Sequence, residues 1–132
     1  MARWDGSDWF AMDLGMNSVI NALTIYGGRL IAAGEFTEAG GTPINRVASW
    51  TGADWAPLGD GIGGNNAYVW CLTVWNGSLV AGGWFFRAGG VPVNCIARWD
   101  GSIWSDLGGG TNGYVYGLGA YGTQLIATGD FS

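Results

Sequence analysis

The sequence predicts an all-β protein built from repeated units, and three observations support this prediction. The 132 residues include 26 glycines, 9 tryptophans and no histidine. Runs of aromatic and β-branched residues alternate with glycine-rich turns, a pattern typical of short strands joined by hairpins. Long charged segments with the 3.6-residue period of helices do not occur, and a tryptophan-containing segment returns three times along the chain.

Three segments of the chain are close copies of one another. ARWDGSDW occupies residues 2–9, ASWTGADW residues 48–55 and ARWDGSIW residues 97–104. The repeat therefore has a period of roughly 46–49 residues, the length of one four-stranded unit. Because every unit needs the same core, we expect the repeated tryptophans to be structural and to pack there. They are Trp4, Trp9, Trp50, Trp55, Trp99 and Trp104.

Each unit is predicted to contain four short strands. In the clearest unit, the first strand covers residues 67–75, the second covers 78–86, the third ends at Trp99 and the fourth covers 104–107. Asn76 followed by Gly77 predicts a two-residue type I′ hairpin turn, which needs positive φ at both positions. Two successive hairpins per unit are the expected content of one β-propeller blade, so the sequence predicts that fold.

The first strand of each unit has one large and one small face. Leu72 and Val74 alternate with Cys71 and Thr73, and the other two units keep this alternation of large and small residues. Blades that stack around a crowded axis bury both faces of this strand. The pattern therefore favours blade-on-blade packing.

The sequence LTVWNGSLVAGGWF, followed by NCIARWDGSIWSDL, resembles a Kelch-type repeat of the galactose-oxidase kind found in bacterial and fungal surface proteins. The glycine doublet of that pattern is kept in one unit but reads Ala33-Gly34 and Thr128-Gly129 in the others. The resemblance implies a propeller fold and an extracellular or cell-surface location, although the sequence itself does not specify a compartment. The copper site of galactose oxidase needs histidine ligands, which this chain lacks.

The repeat divides the chain into three blade equivalents. We expect residues 1–18 to supply strands three and four of a split blade, 19–66 and 67–112 to form complete blades, and 113–132 to supply strands one and two of the split blade. Three blades do not close a ring, since propellers typically have 4–8. We therefore expect two chains to pair head to tail as a six-bladed homodimer. A piece of a longer propeller, or another ring size, remains the alternative.

The composition excludes several classes of function. The formal net charge is −5, with 5 cationic side chains, all of them arginine, which argues against a nucleic-acid partner. The chain has no polybasic segment for a membrane surface, no apolar run long enough to cross a bilayer and no signal peptide at its start. We therefore expect neither a nucleic-acid nor a membrane partner.

The residues give little support for catalysis. Without histidine, triads and metal sites that use it are absent, and we expect no catalytic residue, metal or cofactor. The segment GDGIGG at residues 59–64 fits a dinucleotide-binding pattern but has no following helix. Glu35 and Asp130 could act as a carboxylate pair in glycoside hydrolysis, but they lie in different units. The two cysteines, Cys71 and Cys95, are predicted to be free.

Two sets of equivalent positions vary in residue type while the surrounding repeat is kept. The first set lies at the start of the innermost strand and the second near the end of the next strand, so both face the same side of the ring. Aromatic, amide and carboxylate side chains there would suit a sugar or a peptide, by stacking and hydrogen bonding. Drift at tolerant positions is the alternative. These candidate ligand-binding residues are Asn21, Trp70, Tyr116, Glu35, Trp84 and Asp130.

The function predicted from the sequence is a non-catalytic, self-assembling propeller that acts as a scaffold or a protein-interaction module. Its partner is a second copy of itself, with a peptide or a sugar as further ligand. A lectin-like, carbohydrate-binding propeller that uses its exposed aromatic residues is the alternative function.

Overall fold

The structure is a computed structural model that describes residues 1–132, and all of its regular secondary structure is β. No helix that could span a membrane is present. The strands are β1 (Ala2–Trp4), β2 (Trp9–Ala11), β3 (Ile20–Tyr26), β4 (Arg29–Gly34), β5 (Glu38–Ala39), β6 (Thr42–Pro43), β7 (Val47–Trp50), β8 (Trp55–Pro57), β9 (Ile62–Gly63), β10 (Tyr68–Trp75), β11 (Ser78–Trp84), β12 (Arg87–Ala88), β13 (Val91–Pro92), β14 (Ile96–Trp99), β15 (Trp104–Ser105), β16 (Tyr114–Tyr121) and β17 (Gln124–Asp130).

Two four-stranded antiparallel sheets form the centre of the molecule. Sheet I has the order β3-β4-β7-β8 and sheet II has the order β10-β11-β14-β15, so each is a simple meander. An N-terminal hairpin, β1–β2, and a C-terminal hairpin, β16–β17, stand on either side of them. The prediction of an all-β protein made of several antiparallel sheets is confirmed, and no sheet closes on itself within the chain.

Small hairpins link each unit to its neighbour. The hairpin β12–β13 pairs with β9, which comes from the loop that follows sheet I. In the same way, Ala39 of the hairpin β5–β6 forms a bridge with Met16, which follows the N-terminal hairpin. Successive units are therefore joined by backbone hydrogen bonds as well as by side-chain packing.

The predicted turn at Asn76-Gly77 is confirmed, since both residues have a positive φ, 50° for Asn76 and 75° for Gly77. Three strands are shorter than predicted, and β10 begins at Tyr68 rather than at residue 67. β11 ends at Trp84 because the carbonyls of Phe85 and Phe86 accept hydrogen bonds from the loop that leads to β14. β15 ends at Ser105 because the chain then turns, and the Asp106 carboxylate accepts a bond from the Gly109 amide at 2.7 Å.

Each innermost strand contains a β-bulge at the same position. Near the start of each innermost strand, one residue has no partner in the neighbouring strand. This occurs where β3 pairs with β4, where β10 pairs with β11 and where β16 pairs with β17. A glycine in the neighbouring strand accommodates this bulge, because a Cβ atom there would collide with a backbone carbonyl. The skipped residues are Asn21, Trp70 and Tyr116. The accommodating glycines are Gly34, Gly83 and Gly129.

The innermost strands stack side by side, with β10 between β3 and β16. The core between sheets I and II contains Ile31 and Leu79, which are 1% and 0% exposed. Leu72, on the large face of β10, packs against this core. The large face of sheet II therefore lies on the small face of sheet I, as the alternation of residue sizes predicts.

The two outer faces of the chain expose the equivalents of residues that are buried between sheets I and II. Leu23 and Ile25, on the large face of β3, are 55% and 61% exposed. At the other end, Ile126 of β17 is 45% exposed, whereas its equivalent in β4, Ile31, is buried. These outer faces are apolar and have no neighbouring sheet within the chain.

The repeated tryptophans form one close ring pair per unit, with centroids 5.1–5.5 Å apart. Their burial differs between units. Trp55 and Trp104 are 4% and 3% exposed, whereas Trp9, at the same position in the N-terminal hairpin, is 69% exposed.

We expect Gly83→Ala to lower the free energy of unfolding by about 3 kcal/mol, the upper end of the cost of overpacking, because the added methyl meets the Tyr68 carbonyl. Urea unfolding followed by tryptophan fluorescence measures this change. Gly63→Ala is the control, since Gly63 lies in β9 and a Cβ there would meet only the Arg87 Cβ, at an ordinary contact distance of 3.7 Å. Equal stability of the two variants would contradict the role given to the bulge.

Candidate functional site

The bulges direct variable side chains toward one end of the innermost strands. A bulge leaves its extra residue outside the ladder and re-aims its side chain. Trp70 and Tyr116, which occupy this position in β10 and β16, have ring centroids 5.2 Å apart. Two of the predicted binding residues from different units are thus brought into contact.

Four further aromatic side chains join Trp70 and Tyr116 in a continuous group of six, here called the aromatic row. Tyr68 stacks on Trp70 with an interplanar angle of 4°, and Tyr114 lies between Trp70 and Trp84, at centroid distances of 5.6 and 4.4 Å. Phe86 meets Trp84 edge-on at 4.6 Å. The row comprises Tyr68, Trp70, Trp84, Phe86, Tyr114 and Tyr116. Phe86, Tyr114 and Tyr116 are exposed, and the other three are half-buried.

Asp130 belongs to the same surface. The Tyr116 hydroxyl donates a hydrogen bond of 2.9 Å to the Asp130 carboxylate. This bond raises the pKa of Tyr116, because it stabilises the protonated phenol beside a negative charge. The pair places a fixed carboxylate next to the aromatic rings.

The other two predicted binding residues have different surroundings. The Asn21 side chain donates a hydrogen bond of 3.0 Å to the Val69 carbonyl and so ties sheet I to sheet II. Glu35 is half-buried directly after β4, at the position that Trp84 occupies at the end of β11. The Asp130 carboxylate accepts a hydrogen bond from the Tyr116 hydroxyl, and Glu35 takes no part in that bond.

A groove of about 400 Å³ lies beside the aromatic row, between sheet II and the C-terminal hairpin. The loop from β11 to β14 forms one wall and the loop from β15 to β16 forms the other. We call it the C-terminal groove, and its lining residues are Trp84, Phe86, Asn94, Cys95 and residues 109–113. Its volume lies within the range of small-ligand sites.

The equivalent space between sheets I and II is occupied by Arg46. Its Nε donates a hydrogen bond of 2.7 Å to the Ala67 carbonyl, and an Nη donates one of 3.1 Å to the Ile62 carbonyl. Burial lowers the pKa of this guanidinium. Cys95 is the residue at the same position in sheet II, and both residues have a positive φ, 63° for Arg46 and 62° for Cys95.

Comparison with known proteins gives one match, to part of the chain. Residues 76–99 match a family model described as a domain of unknown function (DUF5122) beta-propeller. The matched segment runs from the turn after β10 to the end of β14. Over this segment the chain is similar to a β-propeller repeat. No curated protein and no solved structure matches it.

The match supports a β-propeller repeat family in general, and the narrower resemblance to Kelch or galactose-oxidase repeats stays a prediction. The structure explains why the glycine doublet is incomplete in two of the three units. The second glycine accommodates the bulge in all three units, whereas Ala33 and Thr128 are tolerated at the first position. A doublet is therefore a poor marker for this repeat.

The two cysteines, Cys71 and Cys95, are free and buried, and they pack with Val115 in one cluster. Burial raises the pKa of the Cys71 thiol to about 11 and also raises the pKa of the Cys95 thiol. Because the thiolate is the nucleophile, neither side chain is activated for covalent chemistry at neutral pH. No group of three histidine, cysteine, aspartate or glutamate residues could hold a metal ion.

Several residues of this surface escaped the sequence analysis. Tyr68 and Tyr114 are equivalent residues, each two positions before the bulged residue of its strand. The repetition of a tyrosine at this position could have identified both as candidate binding residues. Phe86 and Cys95 could have been found by comparing units, since Thr37 and Arg46 stand at their positions in the preceding unit.

We expect Arg46→Met to lower the free energy of unfolding by about 2–3 kcal/mol, because two charge-assisted hydrogen bonds to the segment that connects sheets I and II are lost. Arg87→Met is the matched control, since the Arg87 guanidinium is exposed and bonds only to the nearby Gly90 carbonyl. Urea unfolding of both variants measures the difference. A loss no larger for Arg46 than for Arg87 would contradict the bridging role.

Proposed function

We propose that the protein is a non-catalytic, protein-interaction module of the β-propeller class that completes its fold by pairing with a second copy of itself. The observation that carries this proposal is the complementarity of the two outer faces. Large side chains are exposed on one face and small ones on the other, in the arrangement that is buried between sheets I and II.

The faces match residue by residue. Leu72 packs on the side of sheet I that contains Ile31. By equivalence, Leu23 of one copy packs on the side of the C-terminal hairpin of the other copy that contains Ile126. Gly117 and Gly119 lie in β16, and their lack of side chains leaves room there. Full burial of each large aliphatic side chain contributes about 1.5–3 kcal/mol.

The strand edges match as well. In sheet II, β11 pairs with β14 so that Leu79 lies opposite Trp99 and Ala81 lies opposite Ala97. The equivalent register pairs β17 of one copy with β1 of the other, which places Ala127 opposite Ala2. The two hairpins then form one four-stranded sheet, and the unpaired edges of both copies are removed.

The tryptophans at the outer unit support the same arrangement. The Trp104 indole donates a hydrogen bond of 2.7 Å to the Leu58 carbonyl of the preceding unit. By equivalence, Trp9 of one copy reaches the Leu107 carbonyl of the other, which would bury an indole that is 69% exposed in the single chain.

Two copies supply six blade equivalents, and heterologous contacts of this kind close into a ring when the rotation allows it. We expect a solution mass of twice the 13.8 kDa of the chain. We also expect the variant with Ala2→Cys and Ala127→Cys to form a disulfide between copies in air. The native thiols do not compete at neutral pH, because burial raises the pKa of Cys71 and of Cys95.

The matched control carries Ala2→Cys with Gln124→Cys, which shifts the second thiol by about 10 Å along β17, beyond the reach of a disulfide. Light scattering measures the mass, and non-reducing electrophoresis measures the crosslink. A folded single-chain particle whose unfolding does not depend on concentration, or equal crosslinking of both pairs, would overturn the proposal.

A second function, carbohydrate binding, is favoured by the aromatic row. Exposed aromatic rings beside a carboxylate can stack on a sugar ring and accept hydrogen bonds from its hydroxyls. Tyr116 and Asp130 supply both groups within one hydrogen bond of each other. Trp70 and Trp84 lie in the same row, so their fluorescence would report on binding.

We expect neutral oligosaccharides to quench the tryptophan fluorescence, and Tyr116→Ala to weaken this binding about tenfold, which corresponds to about 1.4 kcal/mol. Tyr121→Ala is the control, since Tyr121 lies at the other end of β16 and is 75% exposed. A fluorescence titration against a sugar panel measures the affinities. No quenching by any sugar, or the same loss in both variants, would contradict this function.

A further inference from the structure

We propose that the C-terminal groove binds the arginine side chain of a partner peptide. The inference names a ligand for the interaction module proposed above, and it does not require that two copies close a ring. It rests on a comparison of two equivalent grooves within the same chain. One of them is filled by the chain's own arginine, and the other is open.

The walls of the two grooves are built alike. In the first, the Asn45 side chain donates a hydrogen bond of 3.2 Å to the Asp60 carbonyl, and in the second Asn94 donates one of 2.8 Å to the Gly109 carbonyl. The backbones agree too, because the carbonyls of both asparagines accept a bond from the loop that leads to the next inner strand, at 3.1 and 3.0 Å.

The grooves differ in the residue that follows the asparagine. Arg46 extends its guanidinium across the first groove. Cys95 has a short side chain that is 1% exposed and packs in the core with Val115. The space that the Arg46 side chain occupies in the first groove is therefore part of the open volume of about 400 Å³ in the second.

The acceptors for a guanidinium are present in the open groove. Arg46 bonds to the carbonyls of Ile62 and Ala67, whose equivalents are Thr111 and Gly113, both in the lining. The Thr111 hydroxyl donates one bond of 2.9 Å to the Gly113 carbonyl. A carbonyl oxygen has two lone pairs, so this one can accept a second bond.

The remaining lining favours a planar cation. Trp84 and Phe86 replace Glu35 and Thr37 of the preceding unit, and a guanidinium stacks well on aromatic faces. No lining residue is charged, but the Asp106 carboxylate accepts a hydrogen bond from the Gly109 amide of the lining. Asp130 pairs with Tyr114, which follows the lining in the chain, and the net charge is −5. Arginine fits better than lysine, because its fork of donors can reach two carbonyls at once.

The test uses the peptide acetyl-Gly-Arg-Gly-amide as the probe and follows the tryptophan fluorescence of the full chain. We expect saturable binding, and at least tenfold weaker binding of the same peptide with citrulline, which keeps the shape but lacks the charge. The variant Cys95→Arg should lose binding at least tenfold, because it fills the groove as Arg46 does. The variant Ser102→Arg adds the same charge at an exposed turn outside the groove and should bind like the original chain.

Phe86→Thr gives a second reading that leaves the core intact, since Phe86 is 47% exposed. It restores the residue of the preceding unit and should weaken arginine binding several-fold without affecting folding. Equal binding of the arginine and citrulline peptides, no saturation at millimolar peptide, or full binding by Cys95→Arg would overturn the inference. Light scattering on the same samples measures self-association separately. A failure of self-association would change the mass but leave the groove, and arginine binding in it, intact.

Discussion

The contact on which the rest of the structure depends is the packing of one sheet's large face on the small face of the sheet before it. Where β11 meets β16 this contact is so close that a Cβ on Gly82 would lie 2.6 Å from the Val115 side chain. No four-stranded sheet of this size could bury both of its faces alone. Leu72 is therefore covered by sheet I, whereas its equivalent Leu23 lies 55% exposed. Self-association and ring closure, as proposed, extend a contact that the chain already makes internally.

The bulge explains why the candidate binding residues lie at positions that vary. The backbone needs the extra residue and the glycine opposite it, because the carbonyl beside the bulge occupies the place of a Cβ. The side chain of the bulged residue takes no part in that constraint. Asn21 can therefore tie two sheets together, while Trp70 and Tyr116 build a surface of stacked rings. A fixed backbone with free side chains is a suitable frame for changing ligands.

The sequence was sufficient for the parts of the fold that repeat, and insufficient for side chains that reach between units. Strand order and the Asn76-Gly77 turn follow from local alternation and turn chemistry. The bulge was hidden, because all three units contain it and their alignment stays unbroken. The span of Arg46 to the Ala67 carbonyl depends on the distance between two sheets, which no pattern in the sequence encodes. The exposure of Trp9, in spite of its place in the repeat, has the same origin.

Differences between equivalent positions are more informative here than the repeat itself. Arg46 fills its groove with two charge-assisted hydrogen bonds, each of which contributes about 1.5–3 kcal/mol. The backbone at Cys95 has the same positive φ and would accept an arginine equally well. A cysteine at that position forgoes stabilisation that the chain uses one unit earlier, and it leaves polar carbonyls and two aromatic rings facing an open groove. Positions that give up local stability in this way are the ones where function is expected.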